Sequence, residues 1–230
     1  MVAFTGSGIS AESGVPTFRE AQTGLWAQFR PEELATPEAF RQDPARVWSW
    51  YEWRRELCRK AEPNAGHHAL VELERRVPQF CLVTQNVDGL HQRAGSRNVI
   101  ELHGSILATK CFDDDEPVES WETTSELPPR CPRCGGRLRP NVVWFNEQLP
   151  LAAFAEARAE SERADVFLCI GTSGLVDPAA SLPRLARASG AVLVELNPSA
   201  TPLSDHATHL LRGTAAQLLP RLNEALGGSK

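Results

Sequence analysis

The chain has no run of about 18 apolar residues, the length a bilayer-crossing helix needs, which excludes such a span. It has no excess of basic residues. Its 24 lysines and arginines face 29 aspartates and glutamates, a formal net charge of −5, which weighs against nucleic acid as the main partner. It is poor in cysteine for a disulfide scaffold, with six in 230 residues, and this points to a reducing compartment. Residues 1–6 lack a basic leader and a cleavage site and run straight into a strand and a glycine turn, so no signal peptide is expected and the expected location is cytoplasmic. There is no internal repeat and no low-complexity tail.

What is present is enough chain for one good core plus a small subdomain. Short apolar runs recur: VAFT (2–5), FCLVT (80–84), VIEL (99–102), VVWF (142–145), VFLCI (166–170) and AVLVEL (191–196). Most are apolar throughout, as strands covered on both faces are. Helical patterns separate them at 64–77, with Asn64 as N-cap, and at 151–163, 179–189 and 214–226. Strands alternating with helices predict an α/β fold built on a doubly wound, Rossmann-like parallel sheet. Two segments break the rhythm. Residues 20–63 carry no good strand and predict helices; residues 104–141 read as irregular. Both are expected to pack beside the sheet as insertions. Cys58, Cys81 and Cys169 lie in apolar runs and read as buried small hydrophobes.

The first strand ends in Gly6-Ser7-Gly8-Ile9-Ser10-Ala11, a Gly-x-Gly-x-x-Ala pattern. A strand turning tightly into a helix brings its backbone close to a pyrophosphate, where a side chain would collide, and the helix start offers unpaired N–H groups. Glycine pairs also mark ordinary turns, so the pattern alone is weak.

The loop continues as TGSGISAESGVPTFRE (5–20), and this string resembles the signature of the sirtuin family. TQNVDGLH (84–91), LHG (102–104), IGTSGLVDPAA (170–180) and VELN (194–197) match in the same order and span nearly the whole chain. The resemblance implies an NAD-dependent protein-lysine deacylase in which NAD and acyl-lysine meet in a cleft. It divides the chain into a Rossmann-like NAD-binding domain (1–19, 64–103 and 142–230), a helical insertion holding the acyl pocket (20–63) and a zinc-ribbon-like module (104–141). Acylated lysines of proteins are the implied partners, with no role for nucleic acid or membrane.

By similarity His103 is the general base, for which an imidazole titrating near neutral pH is suited. In the implied reaction the acyl oxygen displaces nicotinamide, His103 helps a ribose hydroxyl attack the resulting imidate, and free lysine and O-acyl-ADP-ribose leave. Asn86 and Asp88 join His103 as catalytic residues, placing the nicotinamide amide and nearby water, although Asn and Asp in a turn also serve as caps. Gly6, Ser7, Gly8, Ser10, Ala11, Gln85, Gly171, Thr172, Ser173 and Asn197 are implied NAD contacts, with Ala215 near adenine. Phe18 and Arg19 resemble mobile-loop residues, Phe18 shielding the ribose carbon from water. Val142, Trp144 and Phe145 resemble a strand that pairs with the substrate backbone. Asn146 stands where relatives often have Gly, and Asn tolerates left-handed backbone.

Residues 44–60 read as an amphipathic helix that sets Tyr51 beside Arg54. A phenol and a guanidinium together suit a carboxylate; a surface arginine covering apolar area with its stem fits the spacing equally. The Tyr51-x-x-Arg54 pattern, with Ala35 in Leu34-Ala35-Thr36-Pro37, resembles sirtuins that remove succinyl, malonyl or glutaryl groups, and dual acetyl and acidic-acyl activity is expected. Cys131-Pro132-Arg133-Cys134 is half of a structural zinc site. The other half holds Cys111, but the second cysteine expected from the spacing is Asp114. Asp114, Asp113 or Asp115 as fourth ligand, or a solvated acidic loop, all remain open. A mono-ADP-ribosyltransferase, a non-catalytic acyl-lysine module and a dehydrogenase are the rival readings.

Overall fold

The computed structural model describes residues 1–16, 31–122 and 124–227. Its strands are β1 (Val2–Thr5), β2 (Cys81–Thr84), β3 (Val99–Glu101), β4 (Gly104–Cys111), β5 (Leu138–Val142), β6 (Val166–Ile170), β7 (Val192–Leu196) and β8 (His209–Leu211). Six form one sheet in the order β3-β2-β1-β6-β7-β8, parallel throughout. The helices are α1 (Pro31–Leu34), α2 (Pro37–Gln42), α3 (Pro44–Lys60), α4 (Ala65–Arg76), α5 (Leu90–Ala94), α6 (Leu151–Arg163), α7 (Leu182–Ala188) and α8 (Ala215–Gly227). Among the described residues no helix is long and apolar enough to cross a membrane.

The near-continuous apolar strands are apolar because helices cover both faces. Val2, Phe4, Val83, Phe167 and Leu193 point to one side, where Ala157 of α6 and Leu182 and Ala186 of α7 pack against them. Ala3, Leu82, Leu168 and Ile170 point to the other, against Leu70 and Leu73 of α4 and Leu219 of α8. The predicted doubly wound α/β sheet is therefore what forms. Helix α4 starts where Asn64 caps it: Asn64 Oδ1 accepts from Gly66 N, and Asn64 N donates to His67 Nδ1.

Three expectations are corrected. Residues 104–111 are not irregular: β4 pairs with β5 antiparallel, from Gly104 opposite Val142 to Cys111 opposite Leu138. Polar and small residues in β4 hide it from a search for apolar runs. The strand expected at 142–145 lies earlier and ends at Val142, because Val143 N turns to His103 O and Phe145 N to Ala35 O, both at 2.9 Å. The glycine loop does not open a long helix either. It folds into two short 3-10 turns, Ser7–Ile9 and Ala11–Ser13. β8, three half-exposed residues at the sheet edge, had no apolar signal to find.

Helices α1 to α3 form a second core with the β5 end: Phe40, Val47, Trp50 and Tyr51 pack with Val142 and Trp144. Arg55 fastens α3 to β4. Its guanidinium is buried and donates to Ile106 O at 2.5 Å, Ala108 O at 2.9 Å and Thr109 Oγ1 at 2.9 Å, with Glu52 as counter-ion.

Candidate active site

The carboxyl ends of β1, β2, β6 and β7 come together where the strand order reverses around β1, the place where open α/β sheets bind ligands. Gly6 N donates to Ile170 O, Gln85 N to Thr5 O and Gly171 N to Leu196 O, so the three turns leave the sheet as one layer. They border a cavity of about 300 Å³ that also reaches α3 and the segment after β5. A Cβ on Gly6 would stand 2.8 Å from Gly171 O, and one on Gly8 2.8 Å from Gly171 Cα. The two glycines are thus demanded by turn-on-turn packing, a reason the sequence pattern did not reveal.

His103 follows β3 and lines the cavity. Its Nδ1 lies 2.9 Å from Gln85 O. A carbonyl only accepts, so Nδ1 carries the proton and Nε2 keeps its lone pair. Burial lowers the imidazole pKa, partly offset by that hydrogen bond, and the ring is neutral at pH 7. Behind it Asn86, Asp88 and Ser10 form a closed polar cluster. Ser10 Oγ donates to Asp88 Oδ2 at 2.7 Å, and Asn86 Nδ2 donates to Gly6 O at 3.1 Å and Ser10 Oγ at 3.2 Å. Burial raises the Asp88 pKa, opposed by the Leu90 N–H and the Ser10 hydroxyl. Two further histidines that the sequence did not single out support this floor. Because His67 Nδ1 accepts from Asn64 N, its Nε2 holds the proton toward Ser10 Oγ at 3.5 Å. His91 Nε2 lies 2.9 Å from Thr5 Oγ1, whose own hydrogen goes to Thr84 Oγ1 at 2.8 Å, so His91 is the donor.

Ser7, Thr172 and Ser173 place hydroxyls on the wall, beside Gly6 and Gly171. Thr172 Oγ1 accepts from Gln85 Nε2 at 2.9 Å. Hydroxyls and turn backbone of this kind fit the phosphates and ribose of a dinucleotide. Gly8, Ala11, Asn197 and Ala215 lie off the cavity wall. Asn197 Nδ2 donates to Thr172 O at 2.8 Å and holds that turn from behind. Ala215 is buried against Gly66 of α4, and Ala11 is exposed. Phe18 and Arg19 lie outside the described residues.

At the other end Ala35, Tyr51, Arg54, Val142, Trp144 and Phe145 all border the cavity. Arg54 stacks over the Trp50 ring at 4.9 Å and the Tyr51 ring at 5.7 Å. Tyr51 Oη accepts from Trp144 Nε1 at 3.0 Å. Burial pushes the phenol up to about 12, held back by the Arg54 charge and the indole bond, so it stays protonated. Trp144 is clamped: the Arg139 guanidinium sits 3.3 Å from its ring centroid, Arg139 pairs with Glu147 at 2.5 and 2.9 Å, and Glu147 Oε2 accepts from Trp144 N at 2.8 Å. The N–H groups of Val143, Trp144 and Phe145 are all engaged, and Trp144 O accepts from Glu147 N at 3.1 Å. Asn146 adopts the left-handed conformation, φ 68°. Cys58, one helical turn beyond Arg54, also faces the cavity; read from sequence as a plain core residue, it has a lone polar neighbour pattern too weak to reveal this.

The ligand atoms of Cys111, Asp114, Cys131 and Cys134 lie within 4.8 Å of one another. Asp113 N and Gly136 N point at Cys111 Sγ and Cys134 Sγ, each at 3.4 Å, the backbone support that thiolate ligands use. Three sulfurs and a carboxylate fit tetrahedral zinc, remote from His103. Asp114 also pairs with Arg133 at 3.2 Å.

A cavity where a histidine meets the glycine turns at the carboxyl ends of a parallel sheet, with a separate cluster of three cysteines and an aspartate, defines the class. Residues 6–178 match the Sir2 family, and the chain belongs to that family. It is 51% identical over 227 residues to the NAD-dependent protein deacylase of Aquifex aeolicus, covering 98% of this chain and 95% of that one. A solved Sir2 homologue in complex with NAD superposes with a TM-score of 0.92 at 50% identity, covering 98% of this chain and 88% of that one. A Sir2 complex with a p53 peptide and NAD superposes with a TM-score of 0.84 at 34% identity, covering 99% and 93%.

Proposed function

We propose that the protein is an NAD-dependent protein-lysine deacylase whose acyl pocket takes carboxylate-ended acyl groups, succinyl or malonyl, as well as acetyl. The observation that carries this is a single cavity bordered both by His103 and the turns of β1, β2 and β6 and by Tyr51 and Arg54. NAD is the cosubstrate. Ser7, Thr172 and Ser173 bind its phosphates and ribose, Asn86 and Asp88 hold the nicotinamide end, and His103 Nε2 takes the proton of a ribose hydroxyl as that oxygen attacks the acyl carbon. The acyl oxygen first bonds to the ribose carbon as nicotinamide leaves, the lysine amine leaves after the hydroxyl has attacked, and one water completes the balance, so nicotinamide, free lysine and O-acyl-ADP-ribose are the products. Arg54 and the Tyr51 hydroxyl hold the acyl carboxylate by charge-assisted hydrogen bonds. The Val143 and Phe145 carbonyls align the substrate backbone. Zinc, held by Cys111, Cys131, Cys134 and Asp114, supplies structural cross-linking of the small module and no chemistry. None of the six cysteines is in a disulfide, which suits a reducing cytoplasm.

The test is NAD-dependent turnover of paired acetyl-lysine and succinyl-lysine peptides, followed by mass spectrometry with nicotinamide detected alongside. Removal of both groups with one nicotinamide released per lysine freed supports the reading. Stable label from NAD on protein without lysine release would transfer the assignment to a mono-ADP-ribosyltransferase.

A further inference from the structure

The end of the acyl cavity has an unusual polarity. Trp144 Nε1 donates to Tyr51 Oη at 3.0 Å, and Tyr51 is the only tyrosine in the chain. A phenol oxygen has one hydrogen to give and lone pairs to accept with. The indole occupies the accepting side, and no described residue takes the phenol hydrogen. The indole has no freedom to turn away. Arg139 stacks on its ring, Glu147 holds its backbone N–H, and Phe40 and Phe112 pack against it at 5.3 and 6.3 Å between centroids. Arg139, paired with Glu147, is buried, and its Nε has no hydrogen-bond partner among the described residues.

We infer that Trp144 is a specificity-determining residue, with Arg139 and Glu147 as its positioning residues. By donating to Tyr51 Oη, Trp144 occupies the phenol's accepting side and leaves its hydrogen to be given into the cavity. Tyr51 and Arg54 then favour an acceptor, and the pocket selects acyl groups that end in an acceptor anion. This inference rests on the acidic-acyl reading above.

The experiment is a cycle of Trp144→Phe and Tyr51→Phe, each assayed for kcat/KM on succinyl-lysine and acetyl-lysine peptides. Trp144→Phe keeps an aromatic ring and removes the N–H. It is expected to lower the succinyl:acetyl ratio roughly tenfold, as expected for disturbing a hydrogen bond to a charged group, and to lower it no further when Tyr51→Phe is already present. An equal drop in the Tyr51→Phe background would mean that Trp144 acts by shape, and would overturn the inference. A ratio that responds to Arg54→Met but not to Trp144→Phe would overturn this inference alone, whereas a ratio that ignores Arg54→Met would remove the acidic-acyl reading beneath it. If Trp144→Phe does not fold, wild-type protein labelled with 13Cζ-tyrosine decides, since it gives one tyrosine resonance. Succinyl-lysine peptide is expected to shift that resonance more than acetyl-lysine peptide does; equal shifts overturn the inference.

Discussion

His103 and Arg54 show what one side chain does here. With Nδ1 committed to Gln85 O, the His103 ring offers Nε2 alone as a base, and burial lowers its pKa from the ordinary value near 6.5. In the proposed reaction the neutral form is the active one, so kcat/KM falls as acid protonates it. The acid limb of the pH profile should have a midpoint below about 6.5; a midpoint above 7 would mean that another group is the base. His103→Ala should reduce deacylation by about 10²- to 10⁴-fold with thermal unfolding little changed. Arg54→Met should cost succinyl-lysine turnover about 2–3 kcal/mol more than acetyl-lysine turnover, read from kcat/KM on the two peptides; equal losses would reduce Arg54 to a packing residue. Which residues meet in the cavity was legible in the sequence at the level of motifs, for Gln85, Asn86, Asp88 and His103 are contiguous with strand ends. Cys58 was not, because nothing in its local pattern distinguishes a buried residue lining a cavity from one in a plain core, and His67 and His91, which lie beneath the polar cluster and off the cavity wall, gave no signal either. Arg55 was passed over for Arg54 although the two are adjacent, since only the path of β4 decides which of them is buried.

Elements were legible where one physical signal dominates. Buried parallel strands announce themselves by continuous apolarity, and α4 by its Asn64 cap. β4 did not, because it belongs to a hairpin whose register depends on Gly104 rather than on side-chain alternation. Gly104 has φ +73°, and a Cβ there would stand 2.3 Å from Asn141 O in the partner strand. Gly104→Ala must therefore break the Gly104–Val142 pairing or distort it, next to both His103 and the acyl pocket. A loss of about 3 kcal/mol or more in denaturant unfolding is expected; a near-neutral result would mean that the hairpin start is loose. The zinc module is a second element-scale case. Asp114 shares its carboxylate between the cysteine cluster, the Glu116 N–H and Arg133. Replacing this hard, shared ligand by a thiolate should tighten the site, so Asp114→Cys is expected to slow zinc loss to a chromogenic chelator at least about tenfold. Unchanged loss would show that Asp114 is not a ligand.

At the scale of the whole molecule, the catalytic floor and the stability of the fold draw on the same buried groups. His67 and His91 pack ring to ring, 4.9 Å between centroids, under β1, β2 and α4, and hold the hydroxyls of Ser10 and Thr5. Burial lowers their pKa values to about 4 and about 3. In the unfolded chain both protonate near 6.5. Between that pH and the folded values the unfolded state binds more protons, so the stability these residues confer is complete above about 6.5 and is lost as pH falls through the window. Each contributes a slope of up to about 1.4 kcal/mol per pH unit. Asp88 works in the opposite sense, because its buried carboxyl, raised above the ordinary value, takes up a proton before its unfolded counterpart does. His103 adds to the loss and Glu101, whose pKa burial also raises, opposes it, so three histidines against two carboxylates should leave a net loss. Unfolding free energy from denaturant titration is therefore expected to drop steeply from pH 7 to pH 5, and less steeply in His91→Gln, which cannot titrate. Parallel slopes in the two proteins would mean that His91 is already charged in the fold. An imidazolium donates from both nitrogens, so the bond to Thr5 Oγ1 would stand, while His91 Nδ1, which has no hydrogen-bond partner among the described residues, would bury an unpaired N–H.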